Sequence, residues 1–284
     1  MRITPINNTQ YHKTKFGSCF RTYAPKTIKT LDTFDKGIVR TSTNLFRDDL
    51  DWLGLIKYIK THFTNKSKVN MYSLASSDGS EAYSLAISIK EKMEHDNQEK
   101  FLPITACDID KEVINVANKR RINIYNIEFF MAEKNYDINI EKYFKNKSVS
   151  VMINNDITSE SDTISSFEPI KELQDAVKYK NIDILTALNE LEDDGNTVIL
   201  CRNVFPYLSI NYTDKVIQSA RNKLKDGSLF IIGDYDGYTD IEEKLAKNGF
   251  FQPILNNGSI YSCNIFQRGS YKEITNKLYS GYII

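Results

Sequence analysis

Cysteine and histidine are scarce in this chain, and their spacing argues against the sites they most often build. The four cysteines are widely separated and include no CxxC pair, and the three histidines are scattered. Neither pattern has the ligand spacing of a zinc site or the density of a disulfide framework. We therefore expect no metal centre and no disulfide scaffold.

The chain also lacks a surplus of charge and a long apolar run. Lys plus Arg and Asp plus Glu number 37 each, so the formal net charge is zero, which argues against a nucleic-acid-binding surface. No stretch approaches the roughly 20 apolar residues of a membrane span, and the first residues contain no signal-peptide core. We expect a cytoplasmic protein that neither enters a membrane nor binds nucleic acid. Its oligomeric state is left open.

A glycine-rich phosphate loop is missing as well. The segment Ser76-Ser77-Asp78-Gly79-Ser80-Glu81 follows the first predicted strand and matches neither GxGxxG nor a P-loop with its lysine, which disfavours an NAD-dependent oxidoreductase. Gly79 would let the backbone approach a ligand closely, and Glu81 at the start of the next helix suits a ligand with an amino group. A simple helix cap and turn is the alternative.

An alternation of strands and helices is what the chain does contain. Apolar runs predict strands at 69–75, at 104–107, from Val198 and at 229–232, and helical spacing predicts helices at 44–63 (begun by Asp48 or Asp49), at 81–95, after the cap Asp110 and around 216–224. Such alternation implies a parallel sheet with helices on both faces. Two strands flanking a tight turn at 256–258 predict an antiparallel C-terminal edge. The fold class is therefore α/β, a doubly wound, mostly parallel sheet of the Rossmann-like type.

Two segments fall outside this alternation. Residues 1–40 are polar and lack periodicity, so we expect a loosely ordered arm preceding one domain at 41–284. Residues 157–196 are expected to be a long polar insertion with short helices at 170–177 and 184–191.

Acidic and amide residues follow the second and third predicted strands. Asp108 ends the strand at 104–107, about thirty residues after Gly79, where dinucleotide and adenosine sites hold ribose hydroxyls. Asn155 and Asp156 follow a strand predicted at 149–153 and are candidates for contact with an adenine edge. Ordinary solvated turns are the alternative at all three positions.

A third polar group follows the strand that begins at Val198. It consists of Arg202 and Asn203, with Tyr207 beyond Pro206. The end of a parallel strand is a usual place for a ligand in an α/β protein. Because an unpaired charge at a buried strand end is costly, Arg202 needs either a ligand or a structural salt bridge.

Four segments resemble the chemotaxis-receptor methyltransferases, which transfer a methyl group from S-adenosylmethionine to glutamate side chains. They are Thr43 to Asp48, Ala75 to Ala86, Ala106 to Asp110, and Cys201 to Tyr207. The resemblance covers roughly residues 41–235. It implies a methyltransferase fold, S-adenosylmethionine as the cofactor and a protein substrate such as the cytoplasmic region of a chemoreceptor.

The resemblance also implies a role for each candidate residue. Arg47 would pair with the methionine carboxylate of the cofactor, Glu81 with its amino group and Asp108 with its ribose. The other cofactor residues would be Ser76, Gly79, Ile109, Asn155 and Asp156, and the methyl-transfer side would be lined by Arg202, Asn203 and Tyr207. A glutamate carboxylate, with a reference pKa of about 4.3, is ionised near neutral pH and needs no general base.

Departures from the family leave other functions open. The forty residues before the domain are too short and polar for the helical domain found there in the family, and no small β-subdomain is expected between 120 and 150. The alternatives are a methyltransferase with another protein or a small molecule as acceptor, and a non-catalytic S-adenosylmethionine-binding signalling module.

Overall fold

The structure is a computed structural model that describes residues 12–13, 19–27, 38–146, 164–253, 262 and 264–269. Its strands in chain order are β1 His12–Lys13, β2 Cys19–Thr27, β3 Ile38–Thr43, β4 Asn70–Leu74, β5 Ile104–Cys107, β6 Ile122–Tyr125, β7 Phe144–Asn146, β8 Ile164–Pro169, β9 Val177–Lys180, β10 Thr197–Leu200, β11 Leu229–Ile231, β12 Phe250–Phe251 and β13 Ile265–Arg268. Its helices are α1 Trp52–His62, α2 Ser80–Lys92, α3 His95–Phe101, α4 Lys111–Asn118, α5 Asn126–Tyr136, α6 Lys171–Asp175, α7 Ile184–Asn189, α8 Ile210–Lys223 and α9 Ile241–Lys247.

A seven-stranded sheet in the order β12-β13-β11-β10-β4-β5-β9 forms the centre of the protein. The five strands from β11 to β9 are parallel, whereas β13 runs antiparallel to β11 and β12 antiparallel to β13. The predicted α/β fold with an antiparallel C-terminal edge is confirmed. The predicted turn at 256–258 and the predicted strand at 149–153 lie outside the described residues.

Helices cover both faces of this sheet. Along β10, Val198 and Leu200 pack into one apolar cluster, and Ile199 between them packs into the other. This alternation is the period of two expected of a strand buried on both faces. Among the described residues, no helix is both long enough and apolar enough to cross a membrane.

The chain reverses its direction of travel across the sheet between β4 and β10. From β4 it passes through α2 to β5 on one side, and from β10 through α8 to β11 on the other. The adjacent carboxyl ends of β4 and β10 therefore flank a topological switch point, where open α/β sheets bind their ligands.

A second, smaller sheet lies where we expected no β-subdomain. Strands β6, β8 and β7 form an antiparallel sheet in that order, so the expectation for residues 120–150 is wrong. The strands are short and partly polar, and β6 pairs with residues some forty positions later in the chain. Local periodicity does not detect a pairing of that kind.

The segment expected to be an insertion supplies an edge of the central sheet. Strand β9 pairs in parallel with β5, placing Val177 beside Ile104. The helix predicted at 170–177 is correct only over α6, because the chain turns after Asp175 and enters β9. The edge strand reads Val-Lys-Tyr-Lys, and its polar residues conceal it in the sequence.

The described part of the N-terminal arm contains β1, β2 and the start of β3, which form an antiparallel sheet. The loose order expected for residues 1–40 stays a prediction. Helix α1 begins later than predicted, and Asp51, rather than Asp48 or Asp49, caps it by accepting a hydrogen bond from the Gly54 amide at 2.9 Å. The predicted cap at Asp110 is confirmed, because its side chain accepts from the Glu112 amide.

Candidate cofactor site

A polar cleft opens at the switch point. It is lined by Thr43, Asn44, Arg47, Trp52, Ala75, Ser76, Ser77, Glu81, Arg202 and Asn203. These residues come from the stretch between the end of β3 and the start of α1, from the turn after β4 and the first turn of α2, and from the loop after β10. Three parts of the chain that are distant in sequence thus meet at one place, and five of the predicted site residues are among them.

The turn after β4 has an unusual backbone. Ala75, Ser77 and Gly79 all have positive φ, at 57°, 54° and 88°. Non-glycine residues held in this region cost about 1–3 kcal/mol each and are concentrated at functional sites. The hydroxyls of Ser76 and Ser77 and the amide oxygen of Asn44 are buried without a hydrogen-bond partner in the protein. A cleft wall with polar atoms in this state is suited to a polar ligand.

Gly79 is required by a neighbouring tyrosine. A Cβ at this position would lie 2.3 Å from the hydroxyl oxygen of Tyr179, which is a residue of β9. The glycine therefore accommodates the packing of Tyr179 behind the turn and precedes α2 as its N-cap. It is not among the residues that line the cleft, and its part in cofactor binding stays a prediction.

Arg202 lies beneath the cleft with its side chain only 1% exposed. Its guanidinium donates to Glu81 Oε2 at 3.1 Å, forms an ion pair with Asp49, and sits 5.2 Å from the centre of the Trp52 ring. Glu81 also accepts from the Ser73 hydroxyl at 2.7 Å. Burial raises the pKa of Glu81, and the Arg202 charge opposes that rise. Arg202 thus has the salt-bridge partners that its position demanded.

Asp49 joins the two arginines of the cleft. Its carboxylate pairs with Arg202, lies 3.4 Å from Arg47 Nε, and accepts from Asn203 Nδ2 at 2.5 Å. The Arg47 guanidinium in turn lies 5.2 Å from the ring centre of Tyr235. Opposite charges therefore alternate along the cleft, from Arg47 through Asp49 and Arg202 to Glu81.

Asp108 ties two strand ends together. Its carboxylate accepts from the Ser77 amide and from the Asp110 amide, each at 2.8 Å. Burial raises its pKa to about 6, although these amides act in the opposite direction. A carboxylate has about four lone-pair positions, so these bonds, together with the interaction with the Ile109 amide, leave capacity for a ligand hydroxyl.

A buried carboxylate holds the loop that carries Asn203. Asp236 is fully buried and accepts from the amides of Asn203 at 2.6 Å, Gly233 at 2.8 Å and Phe205 at 3.0 Å. Burial raises the pKa of Asp236 to about 6. Asn203 has a φ of 57°, and its side chain occupies the space that a Cβ at Gly233 would need.

The remaining predicted residues are less closely connected with the cleft. Tyr207 is 39% exposed on a short 3₁₀ turn and does not line it. Ile109 packs against the apolar cluster on one face of the sheet, and its carbonyl accepts from Asn181. Asn155 and Asp156 lie outside the described residues.

Sequence reasoning missed Asp49 and Asp236. Asp49 meets Arg202 across 153 positions, and its only local signal, a place just before a helix, suggested a cap. Asp236 lies in the loop after β11, as Arg202 lies in the loop after β10. A search for acidic residues in the loop after every predicted strand would therefore have found it. Trp52, the single tryptophan of the chain, was likewise hidden as one apolar residue of a helix.

The fold and the cleft define an α/β domain that binds a ligand at the switch point of a doubly wound sheet. Residues 41–250 match the family model described as "CheR methyltransferase, SAM binding domain". The chain therefore belongs to the CheR family of S-adenosylmethionine-dependent methyltransferases.

Curated relatives agree with this family. A chemotaxis protein methyltransferase of Borreliella burgdorferi is 26% identical over 212 residues, covering 72% of this chain and 67% of the relative. Another, from Listeria innocua, is 24% identical over 220 residues, covering 77% of this chain and 73% of the relative.

Solved structures are more remote. Monomeric WbdD is 14% identical with a TM-score of 0.40, over 79% of this chain and 42% of that one. The plantazolicin methyltransferase BpumL in complex with SAH is also 14% identical, with a TM-score of 0.34 over 64% and 44% of the two chains. This chain spans less than half of either protein, and likenesses of this strength do not define the site.

Proposed function

We propose that this protein methylates the side-chain carboxylate of a glutamate in another protein, most specifically in the cytoplasmic region of a chemoreceptor. The cofactor of the family is S-adenosylmethionine, which supplies an electrophilic methyl group on a sulfonium. The observation that carries the proposal is the cleft, which combines two arginines, a carboxylate and three buried polar atoms without protein partners.

The cleft residues, together with Asp108 behind the Ser77 amide, fit the polar groups of this cofactor. Arg47 would hold the amino-acid carboxylate and Glu81 the amino group. Asp108 would accept from the ribose, beside the unpartnered hydroxyls of Ser76 and Ser77. Asn155 and Asp156, which follow in the chain, remain candidates for the adenine edge.

The composition of the cleft favours an acceptor that is already a nucleophile. None of its lining residues, all of them described, is a histidine, lysine or cysteine, and its one lining carboxylate, Glu81, is engaged with Arg202 and Ser73. A glutamate acceptor is ionised near neutral pH and needs no base. The protein would then contribute position and partial desolvation of the attacking oxygen.

Residues near the mouth are suited to orienting the acceptor. Tyr207 follows the Asn203 loop and keeps its side chain partly exposed. We assign it the role of orienting the acceptor carboxylate. The β6–β8–β7 sheet stands at the place where the family carries the subdomain that clasps receptors, so it is our candidate for docking. A receptor substrate of this kind also puts the protein in the cytoplasm.

A methyl ester is the product that tests this proposal. Incubation with methyl-labelled S-adenosylmethionine and a chemoreceptor cytoplasmic fragment should label the fragment, and mild base should release the label as volatile methanol. Tyr207→Phe should lower the rate by about ten- to a hundredfold, since one hydrogen bond to a charged group contributes about 1.5–3 kcal/mol. Tyr235→Phe removes a hydroxyl from another exposed tyrosine and should have little effect. Label stable to base would contradict glutamate as the acceptor, and binding without turnover would favour a sensor.

A further inference from the structure

Asp49 places a fixed negative charge between the two arginines of the cleft. Its side chain is 7% exposed, and its two oxygens contact Arg202, Asn203 and Arg47. Its carbonyl oxygen also accepts from Asn264 Nδ2 at 2.9 Å, which anchors the backbone at this position. The carboxylate is therefore held in place from both ends of the residue.

Ion pairs link four charged side chains at the cleft, and the charges of this group balance only when Asp49 is counted. Arg47 and Arg202 contribute two positive charges, and Asp49 and Glu81 contribute two negative charges. Without Asp49 the group would have a net charge of +1. Because these charged groups are largely shielded from water, they interact strongly with any further charge placed beside them.

The cofactor and its product differ in charge at one atom. S-adenosylmethionine has a positive sulfonium, whereas S-adenosylhomocysteine has a neutral thioether. The two molecules share the same carboxylate, amino group, ribose and adenine. The ratio of their dissociation constants therefore reports on how the site treats the sulfonium charge, because interactions with the shared groups cancel.

We propose that Asp49 is a specificity-determining residue that lets the cleft accept the cationic cofactor, by offsetting the positive charges of Arg47 and Arg202. The inference concerns discrimination between cofactor and product and does not depend on which acceptor is methylated. Loss of the Asp49 charge would leave a positive surplus and penalise the sulfonium. Binding of the neutral product would not carry this penalty.

The test is a comparison of Asp49→Asn with the wild-type protein by calorimetric titration of both ligands. We expect the ratio Kd(S-adenosylmethionine)/Kd(S-adenosylhomocysteine) to rise about tenfold, which corresponds to about 1.4 kcal/mol. The matched control is Asp48→Asn, which removes the same charge from an exposed neighbour and should leave the ratio unchanged. An unchanged ratio in folded Asp49→Asn, or an equal rise in Asp48→Asn, would overturn the proposal.

Two further variants keep the test decisive. Asp49→Glu retains the charge, so the ratio should stay near the wild-type value even if both affinities fall. Arg47→Gln removes a positive charge from the same cleft, so the ratio should fall severalfold although both ligands bind less tightly. If Asp49→Asn does not fold, an unchanged ratio in Arg47→Gln would still refute the inference.

Discussion

Two carboxylates that tie loops together at opposite ends of the central sheet have different surroundings. At the amino end, the Asp193 carboxylate accepts from the amides of Asn196 and Lys225 and from the hydroxyls of Thr197 and Ser228, at 2.6–3.1 Å. At the carboxyl end, Asp236 makes a similar tie between loops, but polar atoms of Asn44, Ser76 and Ser77 nearby lack partners in the protein.

This difference in hydrogen bonding indicates which polar groups serve stability and which are available for ligand binding. A buried polar atom without a partner costs about 1–3 kcal/mol, so a chain selected for stability alone would satisfy it. At the amino end the hydroxyl of Ser228 is satisfied, since it donates to Asp193 and accepts from the Thr197 amide. At the carboxyl end, we propose that the cofactor supplies the missing partners.

The largest effect should come from replacing Asp236, one of the two carboxylates that tie loops together. Asp193, the other one, serves as the comparison. Asp236→Asn replaces an acceptor by a donor facing main-chain amides, which would displace the loop bearing Arg202 and Asn203. Because misplacement by about 1 Å costs about a hundredfold in rate, we expect kcat to fall by about that factor. Asp193→Asn should lower the melting temperature while changing kcat less than threefold. Equal loss of kcat in the two variants, measured below both melting temperatures, would contradict the proposed difference between the two ends of the sheet.

The next effect is a dependence of cofactor binding on pH. Asp108 has a folded pKa of about 6, above the unfolded value of about 3.9. Its contribution to the free energy of unfolding is therefore present below pH 4 and lost as pH rises through 6. Binding has the opposite sign, because ribose hydroxyls need an ionised acceptor.

Affinity for S-adenosylhomocysteine should consequently weaken about tenfold for each pH unit below about 6. Trp52, which lines the cleft, provides the fluorescence signal for the titration. Asp108→Asn should remove the part of this dependence that comes from Asp108, whereas Asp110→Asn should preserve all of it. Any dependence that remains in Asp108→Asn comes from Asp236, whose pKa is also raised to about 6. A dependence of undiminished size in Asp108→Asn would remove the ribose assignment.

The smallest effects are expected from replacing two buried serines, one whose hydroxyl has no partner in the protein and one whose hydroxyl is hydrogen-bonded. Ser77→Ala removes an oxygen that has no partner in the protein, so the free energy of unfolding should change little while cofactor affinity falls about fivefold. Ser228→Ala removes a satisfied hydroxyl and should destabilise the fold by about 1 kcal/mol without altering affinity. Denaturant unfolding and calorimetry on the two variants measure both quantities. The reverse pattern would show that the unpartnered oxygen is not kept for a ligand.

Much of the sheet could be predicted because its central strands are short apolar runs buried on both faces. Arg202 could be located because it comes just after a predicted strand. Glu81 could be located because it lies at the start of a predicted helix. Strand β9 could not, because an edge strand with polar residues resembles a loop. Asp49 could not either, because its role depends on contacts with Arg202 and Asn203 from distant parts of the chain, which no local pattern encodes.

Thermal unfolding with and without S-adenosylhomocysteine tests the central claim most directly. At a hundredfold excess over Kd, binding should add about 2.7 kcal/mol of stability, which raises the melting temperature by several degrees. We predict that Asp193→Asn and Ser228→Ala keep this shift in full, and that Asp108→Asn, at the same ligand concentration, loses most of it. No shift in the wild-type protein at millimolar ligand, or an equal shift in all variants, would contradict a cofactor site at the carboxyl end of the sheet.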